Sequence, residues 1–368
     1  MVNVPVSRTS TILFETIEEM DSAYPPKDGR LSYGRNGTWT QWSLAEALTE
    51  LEPGAAGTRL FPSGSAAVAI ALTSVLSPGD ELLMVDSTYG PTRHFCDRDL
   101  KRFGVVTRYY DPLASAEEIE AMISDKTRAI FMESPGSLTF EVQDVPGICA
   151  MAKARGLTTL LDNTWATSFF FTAIEKGVDL SITACTKYIS GHSDLMMGSV
   201  TAAPSHVEKL SRTGRGYGQY VSPDDAYLAA RGLRTLGVRL RQHELGAAKI
   251  AHWLKDQQQV GAILHPALAE CAGHEYWRRD FTGSSGLFSF ALKEGDQAAR
   301  DKFVESLELF GIGYSWGGFE SLAVPADAGK LRTASNRDFG GPLVRLHIGL
   351  EDPDDLIADL TQAFERIL

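Results

Sequence analysis

From Arg59 onward, short apolar runs alternate with segments whose apolar residues recur at helical spacing. The runs Glu81–Asp86, Val105–Tyr110, Ala129–Glu133, Leu157–Asp162 and Asp179–Cys185 predict strands, and Phe61 follows an earlier one. Between them, Ser65–Leu76, Pro91–Phe103, Ala116–Ile123 and Val145–Arg155 predict helices. Near-continuous apolar strands separated by helices predict a mostly parallel sheet covered on both faces. Past about Gly232 the texture changes. A long helical pattern over Val238–Gln258, then strands at Ser285–Leu292 and Leu343–Leu350 separated by helical stretches, predict a smaller α+β domain. The first forty or so residues are irregular, and Tyr24-Pro25-Pro26-Lys27-Asp28-Gly29 cannot form a helix interior. They read as an arm. The expected division is therefore an arm over 1–38, a large domain over 39–232 and a small domain over 233–368, with the break at Arg231-Gly232-Leu233.

Composition narrows the classes. At 368 residues the chain exceeds what one core usually supports. Hydrophobic residues make up 43% and charged residues 22%, an ordinary globular balance without long disordered tracts. A formal net charge of −12 repels a polyanion, so nucleic acid is not an expected partner. No apolar run approaches the roughly 20 residues that span a bilayer, and Met1 to Ser10 lacks a basic-then-apolar signal pattern, so the expected location is the cytoplasm. Cys96, Cys149, Cys185 and Cys271 are far apart, without metal-ligand spacing, and read as buried small hydrophobes.

Four candidate features fall at the ends of separate strands. Lys187, in Ala184-Cys185-Thr186-Lys187-Tyr188 followed by Gly191-His192-Ser193-Asp194, lies where open α/β sheets bind ligands. Asp162 ends the apolar strand before it and is placed to hold a heterocyclic nitrogen protonated; the plainer reading is a turn aspartate. Ser63-Gly64-Ser65 opens an alanine-rich helix, which suits an anion, although Ser-Gly also serves as a simple cap. Tyr89, after the next strand, can lay a ring over a flat ligand. Arg345 is a charge inside an apolar strand; it requires an anionic partner, either a substrate carboxylate or a structural one, unless it points to solvent. Tyr33-Gly34-Arg35 follows the arm, either reaching onto a neighbouring subunit or forming a solvated loop.

Taken together, these residues resemble the cystathionine γ-synthase, β-lyase and γ-lyase family of fold type I pyridoxal-phosphate (PLP) enzymes. Further stretches carry the resemblance: Arg231-Gly232-Leu233-Arg234-Thr235-Leu236, His274-Glu275-Tyr276-Trp277, Asp280 through Phe288, and Tyr314-Ser315-Trp316-Gly317-Gly318, all of which read like the β-lyase branch. The resemblance implies a mostly parallel seven-stranded sheet with a smaller C-terminal domain. It also implies cleavage of the Cβ–S bond of cystathionine to homocysteine, pyruvate and ammonia. In that family Lys187 corresponds to the Schiff-base lysine and proton shuttle, Asp162 to the partner of the pyridine nitrogen, and Tyr89 to the stacking ring and a proton-transfer assistant. Gly64, Ser65 and Thr186 would hold the phosphate with Tyr33 and Arg35 of an adjacent subunit. Ser315 and Arg345 would receive the substrate carboxylate beside Tyr314, and Trp316 marks the β-lyase branch. A homodimer is then the smallest catalytic unit and a homotetramer the expected assembly.

The sequence departs from the family at three points. Ala184 replaces a serine that often touches the phosphate, and Asn36 and His94 stand where bacterial β-lyases carry an arginine and an acidic residue. The last two are expected at the far end of a long substrate. Broader cysteine-S-conjugate lyase or desulfhydrase activity, γ-elimination, and a PLP-binding regulator are the alternative readings.

Overall fold

The computed structural model describes residues 2–27, 29–330 and 332–367; Asp28 of the turn-rich stretch lies outside the described residues, with Met1, Leu331 and Leu368. Seven strands form the first sheet: β1 (Gly57–Phe61), β2 (Glu81–Val85), β3 (Val106–Tyr110), β4 (Thr127–Glu133), β5 (Thr158–Asp162), β6 (Leu180–Thr183) and β7 (Gly198–Ala202). Their order is β1-β7-β6-β5-β4-β2-β3. Strands β3, β2, β4, β5 and β6 run parallel, and only β7 runs against its neighbours β6 and β1. The C-terminal ends of β1, β2, β4, β5 and β6 therefore share one edge of the sheet. The chain leaves β2 in one direction to β3 and continues from β4 in the other, so the strand order reverses between β2 and β4. Such a switch point opens a crevice beyond the strand ends.

The apolar runs are apolar on both faces because both faces are covered. Leu83 and Val85 of β2 join one buried cluster with Ile130, Met132 and Leu161. Leu82 and Met84 join the opposite cluster with Ala129, Phe131, Leu160 and Val200. The period-two alternation of a strand thus sorts residues between two cores rather than between core and water.

Beyond the turn separating helices Pro223–Leu233 and Leu236–Lys255 lies a second, antiparallel sheet. It contains β8 (Val260–Leu264), β9 (Leu287–Leu292), β10 (Leu322–Ala326) and β11 (Leu343–His347) in the order β10-β11-β9-β8. Phe288, Phe290 and Val344 pack there with Phe303 and Phe364 of helices Gln297–Glu305 and Pro353–Glu365. No helix among the described residues is long and apolar enough to cross a membrane. All four cysteines are buried and free.

Three local differences from the sequence reading have physical causes. The arm is not irregular throughout: Ile17–Ser22 is a helix whose Glu19 N donates to the Thr16 side chain at 3.1 Å. The stretch Pro91–Phe103 begins as α-helix over Gly90–His94 and widens to a π-helix over Phe95–Leu100. Strand β7, built from Gly-Ser-Val-Thr-Ala, lacks an apolar run yet is fully buried. Its small residues are a packing requirement, because a Cβ on Gly198 would meet the Ser63 carbonyl oxygen at 2.4 Å. Its hydroxyls pair with interior groups: Thr201 with Thr58 at 2.8 Å, Ser199 with Cys185 at 3.3 Å.

Candidate active site

A cavity opens at the shared sheet edge, and each strand end contributes to it: Ser63, Gly64 and Ser65 after β1, Tyr89 after β2, Glu133 ending β4, Asp162 ending β5, and Thr186 and Lys187 after β6. The second half of the chain adds Leu287, Trp316 and Arg345. Lys187 Nζ donates to Ser315 Oγ at 2.5 Å and sits 5.3 Å from the Trp316 ring centroid. Arg345 Nη2 donates to the Ser315 carbonyl at 3.1 Å. Ser315 occupies the left-handed region at φ +82°, an uncommon conformation for a side-chain-bearing residue and one that concentrates at functional sites. Gly317 follows at φ +86°, and a Cβ there would meet Lys187 Cα at 3.0 Å. The turn is held from below: Gly317 N donates to Nε2 of the fully buried His347, whose Nδ1 lies 3.0 Å from the Glu320 carbonyl.

Burial tunes the charges. Desolvation, helped by the Arg345 charge and opposed by Asp162, brings the Lys187 amine down to about 8. Desolvation likewise lowers Arg345 to about 10, against the influence of Tyr89. Asp162 is raised by desolvation, while two bonds from Thr164, its N–H at 3.0 Å and its hydroxyl at 2.6 Å, and the Lys187 charge oppose the rise. Glu133 is pushed well above the usual carboxyl range by desolvation and by Asp162 beside it. Its Oε2 accepts from Tyr89 N at 2.6 Å and from the Thr88 hydroxyl at 3.3 Å, so it pins the loop that presents the Tyr89 ring across the switch point.

Lys187, Asp162, Tyr89, Gly64, Ser65, Thr186, Trp316 and Arg345 therefore line one cavity, with Ser315 bonded to the lysine. Thr186 is partly committed: its hydroxyl accepts from Met197 N at 2.9 Å and donates to Met197 O at 3.1 Å. Tyr314, 96% exposed, points away from the interior. Tyr33, Arg35, Asn36 and His94 lie outside the cavity of their own chain. Arg35 Nη1 donates to the Arg215 carbonyl at 3.3 Å, and Asn36 Nδ2 to Ser32 Oγ at 3.0 Å. Sequence reasoning missed Glu133, Thr164 and His347. Glu133 carries the same signal as Asp162, an acid ending an apolar strand; Thr164 was marked only by standing two residues beyond Asp162.

The donor set fits PLP. The first N–H groups of helix Gly64–Val75 have no acceptor within the helix and open at the cavity wall, suited to a phosphate. Burial disfavours the ionised form of Asp162, and a protonated ring nitrogen beside it would restore that form. Arg345 Nε is buried without a hydrogen-bond partner among the described residues, leaving guanidinium capacity for a carboxylate. Fold and site together define a fold type I PLP-dependent enzyme. The chain belongs to the Cys/Met metabolism PLP-dependent enzyme family, which its residues 1–365 match. Among curated relatives it is 45% identical to cystathionine beta-lyase MetC of Escherichia coli over 100% of this chain and 94% of that protein. It is 46% identical to a putative cystathionine beta-lyase of Rhizobium johnstonii, over 99% and 91% respectively. Among solved structures, metB from Corynebacterium glutamicum superposes with a TM-score of 0.90 at 31% identity, covering 100% of this chain and 94% of that one.

Proposed function

We propose that this PLP-dependent carbon–sulfur lyase cleaves the Cβ–S bond of cystathionine and, with one water consumed in hydrolysis of the three-carbon fragment, releases homocysteine, pyruvate and ammonia. The observation that supports the reading is the Lys187–Ser315–Arg345 cluster, in which an amine of lowered pKa bonds the Ser315 hydroxyl and a guanidinium with an unpartnered Nε bonds the Ser315 carbonyl. Arg345, with the Ser315 hydroxyl, binds the substrate α-carboxylate and so orients Cα toward Lys187 Nζ. Lowered to about 8, the Lys187 amine has an unprotonated fraction at neutral pH that takes the Cα proton and returns one to the departing sulfur. Tyr89 packs over the ring and assists that transfer, its hydroxyl kept protonated by burial and by Glu133. Trp316, its ring centroid 5.3 Å from Lys187 Nζ, forms the cavity wall beside the lysine. When bound, PLP supplies the electron sink for the charge developed at Cα. Asp162, fixed by Thr164, holds the position of the ring nitrogen.

The arm over 1–38, the cofactor-carrying domain over 39–232 and the smaller domain over 233–368 belong to this reading. So does a cytoplasmic homotetramer in which Tyr33 and Arg35 complete the phosphate site of a neighbouring subunit, with Asn36 and His94 toward the far end of the substrate. The test is to supply purified holoenzyme with cystathionine, cystine, cysteine and methionine in parallel. Pyruvate and homocysteine from cystathionine, faster than keto acid from the others, is the expected result. Release of 2-oxobutyrate, or a preference for methionine, contradicts it.

A further inference from the structure

Residues 332–335 lie in the connection between β10 and β11, and β11 carries Arg345. No residue of 332–338 joins a hydrophobic cluster. This segment is nevertheless fastened to the opposite half of the molecule at two buried carboxylates, Asp86 through hydrogen bonds and Glu141 through an ion pair. Asp86, whose side chain is 0% exposed, accepts from the backbone N–H groups of Thr333 at 3.0 Å, Ala334 at 2.9 Å and Ser335 at 2.8 Å, and from the Ser335 hydroxyl at 2.9 Å. Arg93 pairs with the same carboxylate and lies 3.6 Å from the Tyr109 ring centroid. Arg332 makes the second fastening, to Glu141 at 2.8 Å and to the Thr139 hydroxyl. Three consecutive N–H groups converging on one buried carboxylate form a backbone nest, an arrangement built for an anion.

Both carboxylates belong to segments that shape the cavity without lining it themselves. Asp86 stands three residues ahead of Tyr89 on the loop that Glu133 pins. Glu141 closes the turn containing Pro135, Gly136, Ser137 and Leu138, all of which line the cavity; its carbonyl accepts from Gly136 N at 2.9 Å. The two segments are joined by Ser137 N donating to the Ser87 carbonyl at 2.8 Å. We propose that this polar latch is a positioning device: Asp86 and Arg332 tie the strand of Arg345 to the loop of Tyr89, setting the distance across which substrate is held. The proposal rests on the reading of Tyr89 and Arg345 as ring and carboxylate contacts. Asp86 and Arg332 are positioning residues, since neither reaches the cavity. With no hydrophobic contact of its own, the segment takes its position from these buried carboxylates, and its order is coupled to any ligand that Arg345 grips.

The experiment uses holoenzyme and L-alanine, which has the amine and carboxylate but no leaving group, so that the readout does not depend on lyase chemistry. Asp86→Asn and Arg332→Met are each compared with wild type and with Arg337→Met, an exposed control on the same segment. Expected in both latch variants is faster backbone hydrogen exchange over 332–339, a Kd for L-alanine weakened roughly five- to thirtyfold, and an intact visible band from the lysine-bound cofactor. In turnover, KM should rise more than kcat falls. Faster exchange with unchanged L-alanine affinity overturns the proposal, as does unchanged exchange in both variants. If Asp86→Asn fails to fold, Arg332→Met decides alone. A wild type that binds L-alanine but cleaves no sulfur amino acid would strike the lyase reading and leave the latch standing.

Discussion

Lys187 joins two requirements that conflict in water: its amine has to be close to neutral, and it has to sit beside the Asp162 carboxylate. Burial and the Arg345 guanidinium together outweigh Asp162 and hold the amine near 8. The neutral fraction therefore grows as pH rises through that value. Reloading of cofactor-free protein with PLP is expected to accelerate with pH up to about 8 and level off above it. In Arg345→Met a charge that lowers the lysine is gone, so the midpoint should move upward; stopped-flow absorbance at a series of pH values reads it, and an unchanged or lower midpoint would count against the assignment. Lys187→Ala should cut turnover by at least roughly 10²- to 10⁴-fold, the span of one proton-transfer contribution. Asp162 and Arg345 were legible because each is a charge ending or interrupting an apolar strand run, and Lys187 and Tyr89 because each stands in the loop just beyond one. Thr164 and Asp86 were not, because what they do depends on partners the chain brings together only on folding, Ala184 N on the Thr164 hydroxyl at 2.9 Å and residues 333–335 on Asp86.

At the scale of elements, the same apolar runs that announced the parallel strands place a steep gradient of sensitivity across the sheet. Leu83 in central β2 is 0% exposed, whereas Val106 on edge strand β3 is 56% exposed. Leu83→Ala is expected to cost about 2–5 kcal/mol in denaturant unfolding, and Val106→Ala about 0.5 kcal/mol or less. Comparable losses at the two positions would contradict the placement of β2 between two cores. Periodicity was informative where side chains are large. It was silent for β7, where close approach of Ser63 and Ala67 to Gly198 demands small residues, and small residues carry no hydrophobic pattern. The π-helix over Phe95–Leu100 was equally hidden, since a widened turn shifts the apolar period without removing it.

For the whole molecule, the cavity is shared between the two halves of the chain, with the first sheet supplying Lys187 and Asp162 and the second half supplying Ser315, Trp316 and Arg345. Trp165 Nε1 bonds the Leu287 carbonyl at 2.9 Å and Tyr188 accepts from Gly286 N at 3.0 Å, so the halves are also fastened behind the lysine. Tyr33 and Arg35, outside the cavity of their own chain, act in the proposed assembly only across a subunit boundary. Lys187→Ala and Arg35→Ala, each impaired alone, should therefore regain turnover when unfolded and refolded together, because some mixed sites receive both wild-type residues. A mixture no more active than its components would remove Arg35 from the site. The most direct test of the central claim is where the cofactor is attached. After borohydride reduction of the holoenzyme and proteolysis, mass mapping should find the pyridoxyl-phosphate adduct on the peptide containing Lys187, and an adduct on a different lysine, or none, would contradict the account.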